Sequence, residues 1–269
     1  MVLLERIREP KELLWNLTLR ELRGKYRRSF LGWTWSLLNP LSLVLIYSFI
    51  FSVIFGAVAP TGSPSGAKNY ALFLLCGLLP WTFFSLTTNL GMSVLLNNGG
   101  LVKKASFTRQ ILVYAQSCFS IVQSSIEMSL LTVFSLVAGV SAVPRLPLVL
   151  LYMIILGVFS TGIGLALSVS VVYFRDITYL WTIFLQVYFF FTPIFYDAKM
   201  LDGKAPEAVL FLLRWNPMNQ FVAAFRSMLY DGSWPTLSGF IVVVIASAVS
   251  LSAGHFIFKK LNKRVAEEI

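Results

Sequence analysis

The sequence predicts an all-α integral membrane protein with six transmembrane helices, and three observations support this fold class. Hydrophobic residues make up 57% of the 269 residues and charged residues only 13%, whereas soluble domains carry about 25% charged residues. The apolar residues gather in runs long enough to cross a bilayer, which takes about 20 residues. Lysine and arginine lie mainly at the ends of those runs, as in inner-membrane proteins. The net charge of +10 therefore indicates a membrane partner and not nucleic acid.

Six apolar runs are the predicted spans. They cover residues 32–58, 70–96, 110–140, 147–174, 177–196 and 235–258. Together they form one membrane domain, residues 32–258. With the N-terminus inside the cell, 16 lysines and arginines fall on the cytoplasmic side and 6 on the outer side. This asymmetry predicts that both termini, including the 259–269 tail, are cytoplasmic.

The N-terminal segment, residues 1–31, predicts a cytoplasmic amphipathic helix. Apolar side chains recur there at steps of four, three, four and four: Trp15, Leu19, Leu22, Tyr26 and Phe30. This spacing places them on one stripe of a helix, with the basic residues elsewhere on its surface. Such a helix lies along the membrane interface or packs on a partner protein, and the two interpretations are compatible.

Two connecting segments differ from simple turns. Residues 97–109 begin with Asn-Asn-Gly-Gly, which breaks a helix, and continue as a short basic segment that projects into the cytoplasm. Residues 197–231 are too long for a turn and too apolar for a solvated loop. Pro217 would end a helix there. Two short helices that re-enter the outer leaflet explain this outer segment, and an ordinary outer loop with some burial explains it equally well.

The third span contains a polar stripe at steps of four, three and four, formed by Gln116, Ser120, Gln123 and Glu127. A carboxylate within a bilayer is unfavourable unless it is paired or hydrated. The stripe either lines a hydrophilic path that meets sugar hydroxyls or holds helices together through buried hydrogen bonds.

Aromatic residues make up 15% of the chain. Trp81 and Phe84 follow Pro80, and Tyr188 opens an aromatic run that ends before Pro193. These rings are either lipid-facing bulk and interfacial belts or the lining of a tunnel that stacks on sugar rings.

Small residues recur at every fourth position in two spans and predict helix-packing seams. They are Ser160, Gly164 and Ser168 in the fourth span and Ala246, Ser250 and Gly254 in the sixth.

The sequence contains no pattern that predicts an enzyme. It has neither the paired acidic residues that bind Mg²⁺ in many membrane transferases nor a GxxxxGK[ST] phosphate loop. We therefore expect no metal or cofactor in this chain, and an ATPase that drives transport would be a separate subunit. An enzyme acting on polyprenyl-linked sugars is the alternative class, disfavoured by the missing acid pairs.

Five segments together are similar to one known family. They are LRELRGKYRRSFLGWTWSLLNPL at 19–41, LVKKASFTRQIL at 101–112, YFRDI at 173–177, TPIFY at 192–196, and Asn216-Pro217 with Arg226 further on. The chain resembles the permease subunit of ABC exporters for lipid-linked polysaccharides such as O-antigen, capsule, teichoic acid or galactan. It departs from the family pattern at Thr108-Arg109-Gln110, where Pro-Arg-Glu is usual.

The resemblance implies a bacterial inner-membrane homodimer that binds two ATPase subunits, with ATP and Mg²⁺ held on those subunits. The expected ATPase contacts are Arg20, Glu21, Lys103, Lys104 and Arg109. The resemblance also implies that the outer segment forms gate helices. The expected gate residues are Pro193, Tyr196, Asn216, Pro217 and Arg226.

The leading hypothesis is export of a polymer carried on an undecaprenyl-type diphosphate lipid. Four cations lie where such a headgroup would arrive: Arg23, Lys25, Arg27 and Arg28. Positive-inside anchoring explains the same residues. The expected glycan path consists of Gln116, Gln123, Glu127, Trp81, Phe84 and Tyr188. Exporters of the same architecture for teichoic acid, a drug or a small lipid are the alternatives.

Overall fold

The structure, a computed structural model, describes residues 10–25, 29–54, 56, 59–104, 107–197, 206–262 and 265–268. Over these residues the regular structure is helical and contains no β-strand, in agreement with the predicted fold class.

Eleven helices follow one another along the described residues. They are α1 (Pro10–Gly24), α2 (Trp35–Ser48), α3 (Tyr70–Asn97), α4 (Gly99–Lys104), α5 (Gln110–Val137), α6 (Leu146–Tyr173), α7 (Ile177–Phe191), α8 (Glu207–Trp215), α9 (Pro217–Arg226), α10 (Leu237–Leu261) and α11 (Val265–Glu268). A π-helical turn, Phe49–Ile54, continues α2, and a second one, Ser227–Asp231, continues α9.

Four helices are long and apolar enough to cross a membrane: α3, α5, α6 with the turn before it, and α10. They occupy the second, third, fourth and sixth predicted spans. The extended α2 and α7 occupy the other two as shorter apolar helices. With 15 residues, α7 is about 22 Å long, shorter than the roughly 30 Å hydrocarbon core.

The fifth predicted span extended to residue 196, but α7 ends at Phe191. Thr192 takes an extended conformation there, with φ −99° and ψ 125°. The cause is Pro193, because a residue before proline is driven out of the helical region. The chain then turns across the end of the bundle through Ile194 and Tyr196.

The centre of the bundle is α3, which packs against α5 and α6, while α10 runs along α6. Glycines allow the closest approaches. A Cβ atom on Gly254 would collide with the carbonyl group of Gly162, and one on Gly91 would lie 3.0 Å from the Cα of Gly164. Ser250 also donates a hydrogen bond of 2.7 Å to the Phe159 carbonyl. The seams predicted in the fourth and sixth spans are thus real contacts.

Different elements form the two ends of the bundle. We call the end with α1, α4 and α11 the basic end, since Arg23, Lys103 and Lys259 lie there. At this end the Tyr173 hydroxyl, on the last residue of α6, donates to the carbonyl of Leu261, the last residue of α10, at 2.5 Å. We call the opposite end, with α8 and α9, the α9 end.

The N-terminal helix is shorter than its predicted apolar stripe. Because α1 ends at Gly24, Phe30 lies beyond it and is fully exposed, while Tyr26 is outside the described residues. Leu17 and Thr18 are the buried residues of α1, which packs on α5. Trp15, on the predicted stripe, is 64% exposed. One face of α1 therefore packs on the bundle and another remains open.

Candidate functional site

A groove runs beside α3, between α2, α5 and α7; we call it the α3 groove. It consists of two adjoining cavities of about 510 and 350 Å³. Both are lined by Leu43, Trp81, Thr82, Ser85 and Asn89. The larger cavity extends toward α7 and the smaller one toward α5, so the groove reaches from α7 to α5.

One wall of the α3 groove is polar and belongs to α3. Thr82, Ser85 and Asn89 follow at steps of three and four, which places them on one helix face. The Thr82 hydroxyl donates to the Leu79 carbonyl at 2.9 Å, and the Asn89 amide donates to the Ser85 carbonyl at 2.8 Å. Because these groups bond to their own helix, they are satisfied in an apolar bundle without a partner helix.

The opposite wall contributes the α5 polar stripe. Gln123 and Glu127 line the smaller cavity, and the Gln123 amide donates to the Glu127 carboxylate at 3.1 Å. Asn39 of α2 adds a further amide. Both α5 side chains are largely buried, and they add an amide and a carboxylate group to the lining of the smaller cavity.

The structure separates the six residues expected on the glycan path into two groups. Gln123, Glu127 and Trp81 line the α3 groove. Gln116 is buried nearer the basic end and Phe84 is fully buried, stacked on another ring. The hydroxyl of Tyr188 donates to Asn216 at 2.6 Å, and its ring lines a separate apolar pocket beside α8.

Sequence reasoning missed the polar face of α3 and the α7 residues opposite it, Thr182 and Gln186. The signal was present. Thr82, Ser85 and Asn89 show the same helical spacing that identified the α5 polar stripe, and Thr182 and Gln186 are four apart.

Two of the four candidate headgroup cations, Arg23 and Lys25, lie at the basic end. Lys25 donates from Nζ to the Gln123 side-chain oxygen, and its ammonium lies 5.3 Å from the centre of the Phe119 ring. The end of α1 is therefore tied to the α5 polar stripe. Arg23 is exposed in the last turn of α1. Arg27 and Arg28 lie outside the described residues.

The expected ATPase contacts also lie at this end. Arg20 pairs with Glu21 at 2.7 Å and donates to Asn98 at 2.8 Å, which joins α1 to the turn before α4. Lys103 is exposed on α4, whereas the side chain of Lys104 is outside the described residues. Arg109 donates to the Asn262 carbonyl at 2.8 Å and anchors the end of α10.

At the α9 end, Arg226 is a buried cation that binds the segment after α7. Its guanidinium donates to the carbonyl of Ile194 at 2.5 Å and to that of Tyr196 at 3.2 Å, and it lies 3.8 Å from the centre of the Phe73 ring. Burial lowers the pKa of the Arg226 side chain to about 10, so the group stays charged at neutral pH. Pro193 and Asp231 share a pocket of about 200 Å³ with it.

Asn216 links α7 to α9. Its side-chain oxygen accepts from the backbone N–H of Met218 at 2.9 Å and caps α9, while its amide donates to the Phe191 carbonyl at 3.2 Å. Pro217 is the first residue of α9, where its missing N–H costs nothing. The five residues expected at the outer gate thus lie around one junction.

Residues 12–230 match the ABC-2 type transporter family.

The chain belongs to the ABC-2 type transporter family. The match runs from α1 to the turn after α9 and contains the α3 groove and the Arg226 junction. Together with the four apolar helices of spanning length, it makes the chain a multi-pass membrane protein with a transport role.

Several relatives extend over most of this ABC-2 transporter. An O-antigen export system permease protein RfbA from Myxococcus xanthus is 26% identical, with 99% of both chains covered. One from Klebsiella pneumoniae is 27% identical, over 95% of this chain and 94% of the relative. The polysialic acid transport protein KpsM from Escherichia coli is 24% identical, over 80% of each chain.

Proposed function

We propose that this ABC-2 transporter is the permease subunit of an ATP-driven exporter of a lipid-linked polysaccharide. The observation that carries the proposal is the α3 groove. Its lining contains amide, hydroxyl and carboxylate groups beside Trp81. Such groups bind sugar hydroxyls, and an aromatic ring packs on the apolar face of a sugar. The names of the nearly full-length relatives support the same substrate class.

The working unit is a homodimer with two ATP-binding-cassette subunits. One chain forms a groove and not a closed channel, and a two-fold related copy is the simplest way to cover it. The apolar faces of α2 and α7 beside the groove are exposed, including Ile46, Phe49, Ile183 and Phe190. The ATPases, with their ATP and Mg²⁺, dock on the surface formed by α1 and α4.

The basic end faces the cytoplasm in this proposal, with both termini inside, α2 and α7 as the first and fifth spans, and α8 and α9 as a re-entrant outer gate. The carrier lipid is of the undecaprenyl-diphosphate type. Arg23 and Lys25, with the neighbouring Arg27 and Arg28, attract its diphosphate at the membrane surface. Lys25 lies closest to the groove because it contacts Gln123.

Deletion and rescue test the transport role. We expect cells lacking the chain to accumulate undecaprenyl-diphosphate-linked glycan on the cytoplasmic side, and inverted vesicles to take it up with ATP only when the chain is restored. Uptake that is unchanged by deletion would contradict the proposal. Uptake of small lipids that carry no glycan polymer would favour a small-lipid exporter instead.

The headgroup role has its own test. Replacing both Arg27 and Arg28 by glutamine is expected to reduce the uptake of lipid-linked glycan. The loss is expected to be larger at high ionic strength, because salt screens the attraction of the remaining cations for the diphosphate. Arg175→Gln, which removes an exposed arginine between α6 and α7, is the control. Unchanged uptake by a normally inserted double variant would assign these arginines to membrane anchoring.

A further inference from the structure

The ammonium of Lys25 and the carboxylate of Glu127 are joined through one side-chain amide. Lys25 donates from Nζ to the Gln123 oxygen, and the Gln123 amide nitrogen donates to the Glu127 carboxylate at 3.1 Å. Lys25 also acts electrostatically on Glu127. The amide of Gln123 therefore has its oxygen at the cation and its nitrogen at the carboxylate. We call these three side chains the bridged ion pair.

The bridged ion pair connects the proposed headgroup site with the α3 groove. Its cation lies at the basic end, directly after the last residue of α1, whereas Gln123 and Glu127 line the smaller cavity of the groove. Lys25 is exposed, and Gln123 and Glu127 are buried. The cation is therefore the member that can turn away, since lysine carries its charge on a flexible stem.

A diphosphate competes for Lys25 more strongly than Gln123 does. The amide oxygen of Gln123 is neutral, whereas a diphosphate is an anion, and a hydrogen bond between two charged groups is the stronger one. Loss of Lys25 leaves the Gln123 oxygen without its charged donor and the Glu127 carboxylate without the nearby cation. Buried acceptors in that state gain most from a new donor, and the hydroxyl groups of a sugar in the smaller cavity are such donors.

We propose that the bridged ion pair couples the two parts of the substrate, so that binding of the carrier diphosphate to Lys25 raises the affinity of the α3 groove for the glycan. This inference rests on the proposed function and adds how its site is regulated. Before the headgroup arrives, Lys25 occupies Gln123 and offsets the charge of Glu127, and the groove holds glycan weakly. After the headgroup has drawn Lys25 away, both acceptors bind sugar hydroxyls. By linkage, a bound glycan strengthens diphosphate binding by the same factor.

Two separate probes test the coupling. Maltoheptaose, which is uncharged and soluble, reports on the groove, and geranyl diphosphate, a short polyprenyl diphosphate, reports on the headgroup site. The full chain in lipid nanodiscs is titrated with maltoheptaose, and saturation-transfer NMR measures its affinity with and without saturating geranyl diphosphate. For the wild type we expect a roughly five- to tenfold higher affinity with geranyl diphosphate. Geraniol, which lacks the diphosphate, is expected to have no effect.

Three variants assign the effect. Lys25→Met releases Gln123 and Glu127 permanently, so maltoheptaose alone is expected to bind this variant as tightly as it binds the wild type with geranyl diphosphate, which then adds nothing further. Glu127→Gln is expected to remove most of the enhancement, because a neutral amide has no charge for Lys25 to offset. Lys259→Met removes an exposed lysine of the basic end and is expected to keep the wild-type affinity and enhancement.

Equal affinities of the wild type for maltoheptaose with and without geranyl diphosphate would overturn the coupling while leaving the groove as a glycan path. A Lys25→Met variant that binds maltoheptaose alone as weakly as the wild type does would also overturn it, and Lys25 would then serve the headgroup only. No binding of maltoheptaose under any of these conditions would contradict the glycan path itself, and with it both the proposed function and this inference.

Discussion

Two buried polar residues, Arg226 and Asn216, hold the α9 end of the bundle together. Each donates hydrogen bonds to backbone carbonyls that would otherwise be unpaired after α7 ends at Phe191. The carbonyls of Ile194 and Tyr196 receive hydrogen bonds from Arg226, and that of Phe191 from Asn216. Buried backbone groups without partners are costly, so this junction depends on two side chains.

Arg226→Met is expected to destabilise the protein by about 3 kcal/mol, because it removes charge-assisted hydrogen bonds to two carbonyls and leaves those carbonyls buried. Thermal unfolding in detergent measures the loss. Arg175→Met removes an exposed arginine and is expected to shift the midpoint little. Equal midpoints for the two variants would contradict the structural role of Arg226.

Two substitutions at Asn216 distinguish its capping of α9 from its hydrogen bond to the Phe191 carbonyl. Asn216→Asp keeps the oxygen that caps α9 but loses the donor to the Phe191 carbonyl, whereas Asn216→Ala loses both. We expect the alanine variant to lose about 1–2 kcal/mol from the cap alone and to show faster amide exchange at Met218 and Asn219. If the aspartate variant exchanges as fast as the alanine variant, the cap is not the stabilising contact.

At the scale of elements, close helix contacts decide how the bundle packs. α6 and α10 approach so closely at Gly162 and Gly254 that no Cβ atom fits between them. This contact brings the Ser250 hydroxyl to an α6 carbonyl. Because backbone atoms form both sides of the contact, the helices themselves must move apart to accept a larger residue.

Gly254→Ala is therefore expected to cost about 1–3 kcal/mol by overpacking, in spite of the higher helix propensity of alanine. Gly24→Ala is the matched control, since a Cβ atom there meets nothing within 4 Å. Fluorescence-detected size exclusion after heating measures both variants. A Gly254→Ala variant as stable as the control would contradict the packing described for α6 and α10.

Substitutions on the two faces of α1 are expected to affect different properties of the protein. Leu17 packs into the bundle and Trp15 is open, so Leu17→Ala is expected to cost about 2 kcal/mol in detergent and Trp15→Ala much less. In vesicles, Trp15→Ala is expected to weaken the contact of α1 with lipid, detected by depth-dependent quenching of a probe on α1. If the two variants are equally unstable in detergent, the exposed face packs on protein.

At the scale of the whole molecule, a hydrated groove has to be distinguished from a surface covered by lipid. Single cysteines are introduced after Cys76 and Cys118 are replaced by alanine. We expect Thr82→Cys and Gln186→Cys in the α3 groove to react with a cationic thiol reagent in inverted vesicles. Ile245→Cys, exposed on α10, is expected to remain unreactive because it faces lipid. Equal reactivity at all three positions would contradict a separate hydrophilic path.

The sequence alone determined the helical class, the positions of the long spans and the existence of a polar stripe on α5, because hydrophobic length, charge at helix ends and helical spacing are local properties. Only the tertiary structure showed which polar faces meet. It placed Thr82, Ser85 and Asn89 in the same groove as Glu127. It also brought the largely buried Trp81 to the lining of that groove, whereas Phe84, three residues later, is fully buried and does not line it. The reason is physical: helix rotation depends on packing with α5, α6 and α10, and residues distant in sequence supply those contacts.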